Sequence, residues 1–217
     1  MSEFMEKYSV SKLIGSPAGY VGFEESGGLT EAVRRKPYSV VLFDEIEKAA
    51  PDVLNILLQI LDEGTLKDNK GRLIDFKSTI IVMTSNIGSE EFSKKQISIG
   101  FSTDQKADIN EKDFDKIKER ITEQLKNYLT PELLNRIDYK VIFKPLNKES
   151  LTTIFNNQLA NFLKVRQKNP SVKLPKFTKK QVAEIIDKIY NPQYGARPIE
   201  RYIQHDIEGE IIKSLLK

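Results

Sequence analysis

Apolar and polar positions fall into blocks along this chain, and the period of the blocks changes several times. Val40-Val41-Leu42-Phe43 is an unbroken apolar run that stops at Asp44-Glu45. Four apolar residues in a row predict a strand covered on both faces, as in a parallel sheet. Ile80-Ile81-Val82-Met83, within 79–84, predicts a second such strand, and it stops at Ser85-Asn86. Tyr139-Lys140-Val141-Ile142-Phe143 predicts a third. Helical spacing covers the rest. It predicts a short helix ending near Leu13-Ile14, a helix over 29–35 halted by Pro37, and one opened by Pro51 and closed by Asp62-Glu63-Gly64. Further helices are predicted over 113–129, 131–136, 148–165 and 179–189, and from Pro198 to Leu216. Between them, 64–76 reads as a hairpin or a long loop with Asp68-Asn69-Lys70-Gly71 at its tip. Residues 89–112 read as polar loop with one apolar island, Ile97-Ser98-Ile99-Gly100-Phe101.

Strands alternating with helices up to about residue 145, then helices alone, predict two parts: an α/β domain over 1–145 and a small, mainly helical domain over 146–217. Composition narrows the chemistry. The chain has 217 residues, 39% hydrophobic and 30% charged, an ordinary globular balance. A net charge of +3, from 34 basic and 31 acidic residues, gives no reason to expect nucleic acid or a membrane as partner. Without cysteine there is no disulfide or thiolate metal site, which fits a reducing, cytoplasmic setting. The single histidine, His205, rules out a histidine-built zinc site or a catalytic triad.

Candidate chemistry gathers where the apolar runs end. Open α/β sheets place ligands at the carboxyl ends of their strands. There Asp44 could hold Mg²⁺ on a nucleotide and Glu45 could polarise a water; a solvated acidic turn fits the same residues. Asn86, at the end of the second strand, suits a site or a helix cap. Tyr20-Val21 sits among Gly15-Ser16-Pro17-Ala18-Gly19 and Gly22, so it is either the tip of a projecting loop or an aromatic folded back on the domain.

Taken together these stretches resemble the C-terminal AAA+ module of the Clp chaperone-unfoldases. Gly19-Tyr20-Val21-Gly22 resembles that family's pore loop, Val40 to Lys48 its Walker B block, and Thr84-Ser85-Asn86 its first sensor. Leu129 to Asp138, with Asn135-Arg136-Ile137-Asp138, resembles its arginine-finger segment, and Gly195-Ala196-Arg197-Pro198 its second sensor. The likeness runs over nearly the whole chain. It implies an AAA+ P-loop NTPase sheet followed by the small helical domain, with ATP and Mg²⁺ as cofactors. It also implies roles: Asp44 on Mg²⁺, Glu45 activating water, Asn86 positioning it, Arg136 reaching a neighbouring subunit's nucleotide, and Arg197 sensing the subunit's own. Tyr20 and Val21 would grip unfolded protein substrates in the pore of a homo-hexamer.

One departure is plain. The family's phosphate loop, Gly-x-x-x-x-Gly-Lys-Ser/Thr, is absent, since no Gly-Lys-Ser or Gly-Lys-Thr occurs in the chain. The resemblance therefore implies that the sheet's N-terminal strands lie outside this sequence, and that β- and γ-phosphate binding is weak or lost without that loop's donors. Ile99-Gly100-Phe101 either packs back on the domain or forms a docking tip. Protease-partnered members carry a similar tripeptide in this interval, which implies a Clp-type serine peptidase as partner. A disaggregase that works without a peptidase is the alternative within the family. A non-enzymatic interaction subunit is the alternative outside it.

Overall fold

A computed structural model describes residues 1–92, 111–166, 177–191 and 194–215. The chain divides into two compact units, one of residues 1–91 with 115–142 and one of 92–114 with 143–217. In the first, a 3₁₀ turn at Lys7–Ser9 leads into α1 (Val10–Ile14), followed by α2 (Gly28–Arg35), β1 (Val40–Phe43), α3 (Pro51–Glu63), β2 (Thr65–Lys67), β3 (Leu73–Asp75) and β4 (Ile80–Met83). Then come α4 (Glu111–Leu125), most of which belongs to this unit, and α5 (Pro131–Asn135). In the second are α6 (Lys148–Arg166), α7 (Lys179–Ile189), α8 (Arg197–Tyr202) and α9 (Glu208–Leu215).

The first unit is organised by a parallel pair. β1 and β4 lie in register, Val40 opposite Ile80 and Phe43 opposite Met83. α3 and the β2–β3 hairpin form the crossover that a parallel pair requires. Pro51 stands at the first position of α3, where its missing N–H costs nothing, and Gly64 ends the helix in the left-handed region at φ 66°. Leu57 of α3 is buried with Phe43, Ile46, Leu129 and Leu133, and Met83 and Ile81 pack against that cluster. A second cluster seats α2 and α3 on the hairpin through Val33, Ile56, Ile60, Leu66, Ile74 and Phe76.

Four expectations need correction. β1 and β4 are not covered on both faces. Val41, Phe43, Ile81 and Met83 turn inward, while Val40 is 64% exposed, Leu42 57% and Ile80 63%. The pair behaves as an antiparallel sheet would, with one face packed and one open, because no element among the described residues packs on the second face. Tyr139–Phe143 forms no strand, and Tyr139, Val141 and Phe143 are exposed. A strand persists only beside a partner, and β4 pairs with β1 alone among the described residues. Helix α4 ends at Leu125, with turns carrying the chain on to Leu129, whose N–H donates to the Leu125 carbonyl. Parts of 89–112 are helical as well: 89–92, and 111–112 at the start of α4. The island at 97–101 lies outside the described residues.

The second unit is a helical cluster around Phe155, which is fully buried with Leu151, Val182, Ile186, Ile199, Ile203, Ile207 and Ile211. The Phe177 ring meets Phe155 edge-on at 6.2 Å between centroids. Thr178 begins α7 with a capping box, accepting from the Gln181 N–H while the Gln181 side chain accepts from the Thr178 N–H. α8 runs into α9 through a π-turn at Ile203–Ile207, so the predicted last helix is one continuous run with a wider turn inside it.

The one-sided sheet gives a sharp contrast between neighbours. Phe43→Ala should destabilise the first unit by about 3–5 kcal/mol, and Leu42→Ala by about 0.5 kcal/mol or less. Urea denaturation of the two variants checks this; similar losses would mean that both faces of β1 are buried in solution.

Candidate functional site

The carboxyl ends of β1 and β4 meet, and the parallel register decides what meets there. With Phe43 opposite Met83, the next pair in line is Asp44 and Thr84. The Thr84 hydroxyl donates to Asp44 Oδ1 and accepts from the Glu45 N–H at 3.1 Å. The backbone closes the same joint: the Thr84 N–H donates to the Phe43 carbonyl, and the Ile46 N–H to the Thr84 carbonyl, both at 3.0 Å. Glu45 takes the left-handed conformation, φ 55° and ψ 56°, the only non-glycine residue with positive φ among those described. Such a conformation persists only where the surroundings hold it, and it recurs at functional sites. It breaks the strand sharply and sends the chain into a 3₁₀ turn at Ile46–Lys48.

Glu45 Oε2 accepts from Lys48 Nζ and from Ser2 Oγ, both at 2.7 Å. The Lys48 hydrogen bond first, then that of Ser2, holds the Glu45 carboxyl below its ordinary value. Reciprocally, Glu45 raises the Lys48 ammonium above its own. The Met1 amino group donates to the Asp44 carbonyl. Glu47 reaches the other strand end, its Oε1 accepting from the Asn86 N–H at 3.1 Å, while its Oε2 is buried without a partner. Asp44, Glu45 and Asn86, singled out from sequence, are therefore brought to one sheet edge. Thr84, Glu47 and Lys48 were not given roles. The register alone could have flagged Thr84, as the residue opposite Asp44.

Among the described residues no three His, Cys, Asp or Glu side chains cluster as a metal site. Asp44 Oδ1 is engaged by Thr84, and its second oxygen accepts no hydrogen bond from the described residues. One open carboxylate oxygen suits a hard cation that brings phosphate oxygens with it better than an all-protein cage. Arg136, at the C-terminal end of α5, forms an ion pair with Asp62 at the end of α3, and both side chains are about half exposed. Arg197 is the first residue of α8 in the second unit and is exposed. Tyr20 and Val21 stand out from the loop between α1 and α2, Tyr20 72% exposed and Val21 fully so. This settles the loop as projecting rather than folded back. Ile99, Gly100 and Phe101 lie outside the described residues.

Comparison with known proteins fits this geometry. The AAA domain family (Cdc48 subfamily) matches residues 1–140, and the C-terminal D2-small domain of ClpB protein matches 146–217. The chain belongs to the AAA domain family (Cdc48 subfamily). It is 52% identical over 217 residues to the chaperone protein ClpB of Prochlorococcus marinus, covering all of this chain and 24% of that one. It is 48% identical to the chloroplastic chaperone protein ClpC1 of Oryza sativa, again over all of this chain and 23% of the relative. The structure resembles a chain of the S. cerevisiae Hsp104:casein complex in its extended conformation. The TM-score is 0.80 and the identity 36%, covering 97% of this chain and 34% of that one. The chain thus spans about a quarter of the length of the curated relatives it matches. The architecture is α/β with a helical C-terminal part, and no described helix is long and apolar enough to cross a membrane.

Removing the Lys48 partner should let the Glu45 carboxyl titrate closer to an ordinary glutamate. In Lys48→Met the Glu45 pKa rises, with Ser2 keeping part of the depression. The sign follows from a depressed acid: its stabilising pair is complete above the ordinary carboxylate value and is lost as pH falls through the folded-state pKa. Carbon-13 NMR titration of the side chain reads this, and an unmoved curve in Lys48→Met would contradict the pairing.

Proposed function

We propose that this chain is part of an ATP-driven, ring-forming protein unfoldase that threads polypeptides through a central pore. The observation that carries the reading is the joint at the ends of β1 and β4, which gathers Asp44, Glu45 and Asn86. The exposed pair Tyr20-Val21 supports the polypeptide-gripping half. Bound ATP, with Mg²⁺, would supply the phosphoanhydride whose hydrolysis drives the cycle. Asp44 would hold the cation. Glu45 takes a proton from the attacking water, and Asn86 positions that water. With Lys48 and Ser2 on it, Glu45 is a weaker base than a free glutamate. Arg136, paired here with Asp62, would supply its charge to a neighbouring subunit's nucleotide, where a cation supplied in trans is worth about 10³–10⁵ in rate. Arg197 would bind the subunit's own nucleotide. The assembly is a homo-hexamer acting on unfolded protein in the cytoplasm.

The 217 residues hold no Gly-Lys-Ser/Thr phosphate loop, so the chain by itself should show no ATP turnover above background. Turnover that is abolished by Glu45→Gln would sink this expectation. In a full-length ring carrying this module, Glu45→Gln should keep nucleotide binding and stop hydrolysis. Loss of binding, or unchanged hydrolysis, would favour the rival reading, a non-enzymatic interaction subunit.

The partner divides the reading further. The relatives' names point both ways: some are called ClpB, and one, from Solanum lycopersicum, is an "ATP-dependent Clp protease ATP-binding subunit ClpA homolog" with which this chain shares 49% identity. We take the Ile99-Gly100-Phe101 tripeptide as the dock for a Clp-type serine peptidase. Several such tips around a ring turn weak apolar contacts into firm attachment. Replacing Ile99 and Phe101 together by Ala in the full-length ring should abolish degradation of a tagged substrate and spare ATP hydrolysis and unfolding. Degradation that survives the double substitution would hand the function to the disaggregase reading.

A further inference from the structure

The loop that carries Tyr20 and Val21 has little structure of its own. Its internal hydrogen bonds are turns, Tyr20 N–H to Pro17 O at 3.2 Å, Phe23 N–H to Tyr20 O at 3.2 Å and Glu25 N–H to Gly22 O at 3.0 Å. Yet its neck is closed tightly. Gly15 and Ser26 form an isolated antiparallel bridge, and into that neck the tip of the β2–β3 hairpin inserts one side chain, Asn69.

Asn69 Nδ2 lies 3.0 Å from the Ser16 carbonyl, 3.0 Å from that of Phe23 and 3.4 Å from that of Glu25. Three acceptors round one end of the amide fix that end as nitrogen. Its two hydrogens serve the two near carbonyls, and the third is shared. The Asn69 N–H donates to the Ile14 carbonyl at 2.9 Å, and Lys70 Nζ reaches the Glu24 carbonyl at 3.3 Å. The fit leaves no spare room. Gly15 sits at φ 95°, and a β-carbon there would overlap the Asn69 side chain. Asn69 Oδ1 is buried without a partner.

The hairpin tip is itself a firm mount. Asp68, 7% exposed, accepts from the backbone of Lys70 at 3.0 Å, from that of Arg72 at 2.8 Å and from Arg72 Nε at 2.6 Å. Burial works to raise its carboxyl, but the Arg72 and Lys70 donors outweigh burial and keep it below the ordinary value, so it stays a charged acceptor.

We infer that Asn69 is the positioning residue of the 16–25 loop: its carboxamide pins both arms of the neck to the hairpin, so that the exposed Tyr20-Val21 tip moves with the hairpin rather than freely. The pin rests on geometry alone. Its use, to let the tip transmit force to a polypeptide, rests on the reading of Tyr20 given above. A stiff mount is what a pulling loop needs, since each bond that would otherwise yield under load wastes displacement.

Two substitutions attack the pin from opposite sides. Asn69→Asp keeps the shape, removes both donors and sets a carboxylate against three carbonyls. Gly15→Ala expels the side chain without changing it. In the 217-residue chain, both should speed hydrogen exchange at the Tyr20, Phe23 and Glu25 amides by about tenfold, the order expected for one lost hydrogen bond. Amides of α3 and β4 should keep their protection. Because the chain has no tryptophan, Val21→Trp adds a single reporter, and its anisotropy should fall when either substitution is combined with it. Unchanged loop exchange in both variants overturns the pin. So does exchange that rises equally through α3 and β4, because Asn69 would then be a general stability residue. In a full-length ring carrying this module, Asn69→Asp should raise the KM for unfolding fluorescein-labelled casein severalfold and leave the kcat of ATP hydrolysis in place. A loosened loop with an unchanged KM keeps the pin and removes the gripping role of Tyr20.

Discussion

The joint between β1 and β4 is where the first unit's architecture turns into chemistry. A threonine hydroxyl can donate once and accept at the same time, and Thr84 uses both capacities across the two strands, on the Asp44 carboxylate and the Glu45 N–H. That pair of bonds helps to hold Glu45 in the left-handed region, at a local cost of about 1–3 kcal/mol. The sharp exit it enforces puts Ile46 into the core beside Leu57 and aims the chain at the start of α3. If the strand had run on, Asp44 and Glu45 would point to opposite sides of the sheet. Glu47 repeats the device one turn later by holding the Asn86 backbone.

Much of this was legible in the chain itself. The apolar runs at 40–43 and 80–83 announced their strands, and the polar residues that stop them announced the sheet edge. Pro51 and Gly64 bracketed α3 correctly, because their signals are local: a missing N–H at one end and a left-handed turn at the other. What escaped notice depends on partners. Tyr139–Phe143 has the composition of a strand, but a ladder needs a neighbour and none of the described residues supplies one. The one-sided burial of β1 cannot be told from a four-residue apolar run, which fits a half-covered and a fully covered strand alike. Asn69 read as an ordinary turn residue, since the carbonyls it binds are 44 to 53 positions away in sequence. Thr84 needed the parallel register before it could be seen opposite Asp44.

The two arginines singled out from sequence illustrate the same division. Arg136 lies within reach of a carboxylate, Asp62, supplied by the end of α3. Both partners are well hydrated, so the pair is weak and easily exchanged for a better anion. Arg197 opens α8, a short helix whose inner face is held by Ile199 and, where it enters the π-turn, by Ile203. One arginine is loosely paired, and the other extends, exposed, from a helix anchored in its own unit's core.

The π-turn at Ile203–Ile207 bears on that core in a further way. Ile199, Ile203, Ile207 and Ile211 recur every four residues, and all four are buried. A regular helix has about 3.6 residues per turn, so a strict four-residue spacing drifts by about 40° each step and would carry the last isoleucine away from Phe155. The wider turn absorbs the surplus and returns Ile207 and Ile211 to the inner face. Its outer residues, Gln204, His205 and Asp206, are exposed. Losing any one of them would leave the isoleucines at spacings of four, three and four, which is the natural rhythm of an unbroken amphipathic helix. This turn is therefore a place where the second unit can change length by one residue and keep its packing, a slack link built into the element that carries Arg197.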